Sequence, residues 1–181
     1  MQIDDIEALK KAIGSGWSPE FLLFWGHTAK DERVGKHVLS QWWPCEFEVG
    51  PIPYRSAEHY MMAEKARLFA DEDALRRILG AWTPGAAKAL GRSVKNFDQE
   101  KWNAACFDIV VRGNTAKFAQ DKMLRGYLLE IGDQVLVEAS PVDRIWGIGL
   151  AADDPRAQDP TQWQGSNLLG FALMQARAAL G

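Results

Sequence analysis

Apolar residues recur at Ile3, Ile6, Leu9 and Ile13, a helical spacing that predicts a short amphipathic helix over residues 3–13, ended by Gly14 and Gly16. Residues 21–25, FLLFW, form a continuous bulky run and predict a buried strand. The runs Phe47–Val49 and Ile52–Tyr54 flank Gly50-Pro51 and predict a tight hairpin, with Pro51 and Pro53 placing the second arm at an edge. Ser56 stands as an N-cap before a helix over residues 57–70. Asp71 or Asp73 opens a helix through Leu79, and Thr83 followed by Pro84 opens another. Asp98 opens a long helix to about Ala119, and Asp121 caps one that ends near Gly132. Residues 134–139 read as a strand. Residues 142–164, with Pro155, Pro160 and several Asp and Gly, read as a long ordered loop, a kind of segment that often carries function. Ser166 or Asn167 caps a last helix, Leu168–Leu180. With no repeat or linker in view, the pattern predicts one domain over residues 1–181, α+β in class, mostly helical with a few short strands.

Composition keeps this picture and removes some functions from it. Apolar residues make up 47% and charged residues 25%, an ordinary globular mix. A net charge of −3 argues against a broad nucleic-acid footprint, while leaving room for a local phosphate pocket. Cys45 and Cys106 lie far apart, and His27, His37 and His59 form no metal-ligand spacing, so no metal site is expected. The N-terminal segment from Met1 lacks a signal-peptide layout, and no apolar run nears the roughly 20 residues that span a membrane. A cytoplasmic protein with no membrane partner is the expectation. The eight tryptophans fit either a core rich in aromatics or platforms on which a base stacks.

Three segments hold candidate chemistry. Glu58, Met62 and Lys65 share a face of the helix after Ser56, and a carboxylate in a first helical turn gains from the helix dipole. The same spacing also fits an ordinary glutamate on a wet face, but Tyr54, Tyr60, Met61 and Met62 around it favour a cleft. Residues 138–149, EASPVDRIWGIG, run from a strand into a turn bearing Asp143 and Trp146. Asp143 fits either a ribose-orienting acid or a turn-forming one, and Trp146 either a stacking ring or a loop anchor. Residues 165–170, GSNLLG, form a helix start that is a candidate anion site or a plain cap. Arg55, Lys65, Arg92 and Lys117 are candidate phosphate partners or solvated charges. Paired carboxylates, Glu58 with Asp143, suit an oxocarbenium-like transition state at a ribose carbon.

Taken in order, these motifs resemble the NADAR, or YbiA-like, family. The resemblance rests on Ser56-Ala57-Glu58-His59-Tyr60 with Lys65, Leu90-Gly91-Arg92, Trp102 and Lys117-Phe118. It continues through Leu136-Val137-Glu138, Asp143 with Trp146-Gly147, and Asn167-Leu168-Leu169-Gly170 with Leu173-Met174 and Arg177. Phe24-Trp25-Gly26 resembles an early segment of part of the family, so the motif-bearing core spans about residues 21–180. The resemblance implies an α+β, mostly helical fold and N-glycosidase activity without metal or redox cofactor. It implies as substrates the phosphoribosylamino-pyrimidine intermediates of riboflavin synthesis. The alternatives are ADP-ribose removed from guanine bases, including those in nucleic acid, or a non-catalytic sensor of ADP-ribose or nucleotides. By motif match Glu58 and Asp143 carry over as catalytic, and Trp146, Lys65 and Asn167 as substrate-binding. Arg55 and Tyr60, inside or beside the first motif, join that binding set. Some family members place an acid between the two glycines after the tryptophan, where this chain has Ile148.

Overall fold

The computed structural model describes residues 3–29 and 33–181. Met1, at the head of the N-terminal segment considered above, lies outside the described residues. The fold is α+β and mostly helical, and packing divides it into two units: residues up to Ser40 with Met123–Gly181, and Gln41–Lys122. Among the described residues no helix is long and apolar enough to cross a membrane.

The first unit is built on a two-stranded parallel pair. Strand β1, Phe21–Phe24, runs beside β4, Val135–Glu138, in the register Phe21↔Val135 to Phe24↔Glu138. Val135, Leu136 and Val137 are fully buried, and helix α7, Leu168–Leu180, packs its apolar face on β4. Helix α1, Ile6–Gly14, starts later than its apolar spacing suggests, because Asp5 takes the cap and its carboxylate accepts from Ala8 N at 2.7 Å. Trp25 leaves the strand it was expected to extend. β1 stops at Phe24, Gly26 turns with φ 79°, and the indole is 57% exposed. Helix α6, Lys122–Glu130, follows Asp121 as expected. The segment after β4 is a long loop containing two short 3-10 turns, Pro155–Gln158 and Pro160–Gln162, capped by Asp154 and Asp159.

The second unit holds a hairpin and four helices, of which α2 and α5 pack on the hairpin. Strands β2, Phe47–Val49, and β3, Ile52–Tyr54, pair antiparallel with Phe47 opposite Tyr54, and Gly50 has the positive φ of 60° that the turn requires. The outer backbone of β2 is closed by one side chain: Gln120 Oε1 accepts from Glu48 N at 2.9 Å, and its Nε2 donates to Glu48 O at 2.7 Å. Helices α2, Ala57–Leu68, α3, Glu72–Leu79, α4, Pro84–Arg92, and α5, Gln99–Gln120, carry side-chain caps from Ser56, Asp71, Thr83 and Asp98. Helix α2 is the hub and packs on α3, α4 and α5. Two glycines allow this. A Cβ on Gly91 would lie 2.0 Å from Met62 Sδ, and one on Gly113 would lie 2.5 Å from Tyr60 Cδ1.

Candidate functional site

Glu58 is the second residue of α2, and its place is fixed by an interlocked cap. Ser56 is extended and its Oγ accepts from His59 N at 3.4 Å. The His59 ring extends the cap, with Nδ1 2.7 Å from Ser56 Oγ and Nε2 3.1 Å from Ala81 O. A carbonyl only accepts, so Nε2 carries the proton and Nδ1 accepts from the Ser56 hydroxyl. Burial pushes the His59 pKa down, with the Ala81 hydrogen bond working against it, and this favours the neutral ring. Glu58 N donates to Gln41 O at 3.0 Å. The Gln41 side-chain oxygen in turn accepts from Asn114 Nδ2 at 2.8 Å, and that amide also reaches Val110 O at 2.9 Å.

Glu58 is only 5% exposed, so it is not a glutamate on a wet face. Ala57, Tyr60, Met61 and Met62, all buried, share its turn and the next. A carboxylate so placed lies at the positive end of the α2 dipole, and its field is screened little by water. Lys117 is another buried ionisable group of this unit. It is 1% exposed rather than solvated, and burial lowers its pKa to about 8, with Cys45 partly opposing. Asn114 and Lys117 lie one turn apart on α5, and therefore on one face.

The other candidates on α2 separate into different roles. The Arg55 guanidinium donates to Ala81 O at 2.8 Å and lies 4.5 Å from the centre of the Trp82 ring. Tyr60, expected to bind substrate, makes packing contacts. It is 2% exposed, its ring fills the notch at Gly113, and it meets Tyr54 edge-on at 5.1 Å. Lys65 shares a helix face with Glu58 but sits about 10 Å further along α2 at 1.5 Å per residue. Its ammonium lies 4.3 Å from the Phe97 ring centre and 5.4 Å from that of Trp102, and burial lowers its pKa. Its charge thus lies against two aromatic rings.

In the first unit, the loop after β4 is a tight glycine-packed knot. Asp143 Oδ1 accepts from Ile145 N and Trp146 N, both at 2.8 Å, and Gly149 N donates to Asp143 O at 3.0 Å. A Cβ on Gly147 would lie 2.8 Å from Glu138 O, and one on Gly165 would lie 2.3 Å from Gly147 O. Trp146 is half-buried, and Ile148 is fully buried. The side chain at 148 points into the packed interior of this unit rather than at solvent.

The expected anion site at residues 165–170 is corrected by the same knot. Asn167 N donates to Gly147 O at 3.2 Å, Leu168 N to Ile145 O at 3.2 Å and Leu169 N to Trp146 O at 3.1 Å. The backbone donors that would hold an anion are therefore occupied by loop carbonyls. Asn167 itself is fully buried with φ 54° and makes no side-chain cap. Its amide donates to Leu136 O and accepts from Glu138 N, both at 2.9 Å, so it clamps α7 to β4 rather than receiving phosphate.

Sequence reading passed over Gln41 and Asn114, and named Trp82 only as one of eight tryptophans. Asn114 left one signal, a polar residue of poor helix propensity inside a long helix. Gln41 left none, and nothing singled out Trp82 from the other tryptophans, since their partners are brought to them by the packing.

A family model described as the NADAR domain matches residues 23–181. The chain is similar to N-glycosidase R617 of Acanthamoeba polyphaga mimivirus, 44% identical over 156 residues that cover 83% of this chain and 92% of that protein. It is similar to N-glycosidase Npun_R5314 of Nostoc punctiforme, 30% identical over 139 residues, 77% of this chain and 82% of that protein. It also matches the riboflavin biosynthesis protein PYRR, chloroplastic, of Zea mays at 32% identity, over 69% of this chain and 19% of that protein. The NMR structure of the Escherichia coli protein YbiA superimposes with a TM-score of 0.69, 24% identity, and coverage of 89% of this chain and 86% of that one. At that identity the likeness establishes the fold.

Proposed function

The chain belongs to the NADAR domain family and is an N-glycosidase; we propose that its substrate is a phosphorylated N-riboside, with Glu58 as the carboxylate acting at the anomeric carbon. The observation that carries this assignment is a glutamate 5% exposed in a first helical turn, locked there by the Ser56–His59 cap. In hydrolysis the bond from C1′ to the base nitrogen breaks, and a bond forms to a water oxygen. The base leaves with the electron pair and takes up a proton. Positive charge develops on the ribose ring as it does so. A fixed, poorly screened carboxylate stabilises that charge and accepts the proton of the attacking water.

Within this reading Arg55, three residues before Glu58, contacts the substrate. Asp143 acts by shaping the loop around Trp146, because one of its oxygens is taken by two backbone amides. Trp146 remains a candidate stacking residue. The substrate class we favour is the phosphoribosylamino-pyrimidines, which the likeness to a riboflavin biosynthesis protein supports. Removal of ADP-ribose from guanine is the competing specificity.

The test is incubation with a phosphoribosylamino-pyrimidine and, separately, with ADP-ribosylated guanosine, followed by mass spectrometry. Release of pyrimidine and ribose 5-phosphate from the first supports the proposal. Release from the second alone changes the substrate class. Binding without release from either would make the protein a sensor. Glu58→Gln is the control and should show no turnover while its circular dichroism spectrum is unchanged.

A further inference from the structure

Trp82 is 82% exposed, yet it is not a loose surface ring. The Arg55 guanidinium covers it at 4.5 Å from the ring centre. That guanidinium is itself held, with Nη1 donating to Ala81 O at 2.8 Å, while Arg55 O accepts from Cys45 N at 3.1 Å. Immediately after Trp82, Thr83 caps α4 by accepting from Ala86 N at 3.1 Å. The indole is therefore backed by a fixed cation on one side, and most of its remaining surface faces solvent.

The platform hangs from the same turn that presents Glu58. Ala81 O, one residue before Trp82, accepts from Arg55 and is also 3.1 Å from the protonated Nε2 of His59, the residue after Glu58. Arg55 and His59 bracket Glu58 in sequence, and both grip this one carbonyl. An exposed indole left in water is a standing cost in apolar hydration, at about 25 cal/mol per Å² of apolar surface. A flat partner removes that cost. A cation behind the ring draws electron density from it, so the open surface favours an electron-rich heteroaromatic, such as an amino-substituted pyrimidine or a guanine.

Resting on the N-riboside reading above, we propose that Trp82, backed by Arg55, stacks on the base of the substrate and determines specificity for an aromatic, amino-bearing leaving group. The platform selects the base and leaves recognition of the sugar phosphate to other residues.

The experiment is isothermal titration of the Glu58→Gln protein with guanosine 5′-monophosphate and with ribose 5-phosphate, repeated in the Glu58→Gln proteins that also carry Trp82→Ala or Trp82→Phe. Base stacking on an aromatic side chain is worth about 1–3 kcal/mol, so Trp82→Ala should weaken the nucleotide about tenfold or more. Ribose 5-phosphate should bind unchanged, and Trp82→Phe should recover most of the nucleotide affinity. Unaltered nucleotide binding in Trp82→Ala, equal losses for both ligands, or no measurable nucleotide binding before Trp82 is changed overturns the proposal. Because the catalytic carboxylate is already removed, this result is independent of whether the parent protein hydrolyses any riboside.

Discussion

The side-chain oxygen of Asn167 accepts from Glu138 N at 2.9 Å, and its Nδ2 donates to Leu136 O at the same distance. One buried amide thus completes the free edge of β4 and seats the start of α7 against it. A Cβ on Gly170 would lie 2.1 Å from Leu136 O, which shows how closely the two elements approach. Asn167→Ala leaves both backbone groups buried without partners and places a Cβ-bearing residue at φ 54° without its local hydrogen bonds. The expected loss is about 2–4 kcal/mol of stability, read from urea unfolding. Asn167→Gly, which tolerates the left-handed backbone, should lose less. Equal stability of the Ala variant and the parent would show that the clamp contributes little.

The contact between Met62 and Gly91 invites a double-mutant cycle. Gly91→Ala forces the α2–α4 packing to open around Met62 and should cost about 1–3 kcal/mol. Met62→Ala alone leaves a cavity and is also destabilising. Combined, the added methyl occupies space that Met62 has vacated, so the double variant should be more stable than the sum of the two losses implies. Thermal unfolding of the four proteins measures the coupling, and strict additivity would show that the two sites do not meet.

These contacts mark the boundary of what could be read from the sequence. The caps at Ser56, Thr83 and Asp98 were legible because a cap is chosen by residues within three positions of it. The hairpin at Gly50 was legible for the same reason. Occupation of the α7 amides was not, because the carbonyls of Ile145, Trp146 and Gly147 come from about twenty residues away. Glu58 was legible as a candidate through its motif and helix position, but its burial depends on how α2 packs among its neighbours. The same dependence hid the burial of Tyr60 and Lys117: nothing in the sequence shows that Gly113 receives the tyrosine ring. Trp25 shows the reverse error, an aromatic at the end of an apolar run that the following turn carries into solvent.

Lys117 gives the protein a definite pH signature. Its folded pKa of about 8 lies below the ordinary lysine value of 10.5, so between these values the unfolded chain binds more protons than the folded one. Stability from this group therefore rises with pH over that window, by up to about 3 kcal/mol, and the destabilising effect of the buried charge is fullest below pH 8. Burial raises the pKa of Cys45, Cys106, Tyr54, Tyr60 and Tyr127, which acts in the opposite sense at alkaline pH. The comparison that isolates Lys117 is with Lys117→Met, which keeps the other groups. The stability of the parent relative to that variant should increase between pH 7.5 and 10 in urea titrations. A constant difference across that range would mean that Lys117 is not buried as a titrating group.

Asp143 separates a charge requirement from a shape requirement. Its Oδ1 accepts from two successive amides, Ile145 N and Trp146 N, at 2.8 Å each. Asparagine retains an oxygen of that geometry without the charge, and alanine retains neither. If Asp143 acts by holding the loop, Asp143→Asn should keep most of the turnover and nearly all of the stability. Asp143→Ala should lose about 1–2 kcal/mol of stability, since it removes two hydrogen bonds that hold the loop, and its turnover should fall with the loop. A carboxylate that takes part in the chemistry gives a different pattern, with Asp143→Asn as inactive as Glu58→Gln while unfolding at the parent's urea midpoint. Steady-state kinetics and urea unfolding of the two Asp143 variants, measured side by side, decide between them, and the loop-holding role predicts that activity tracks stability in both.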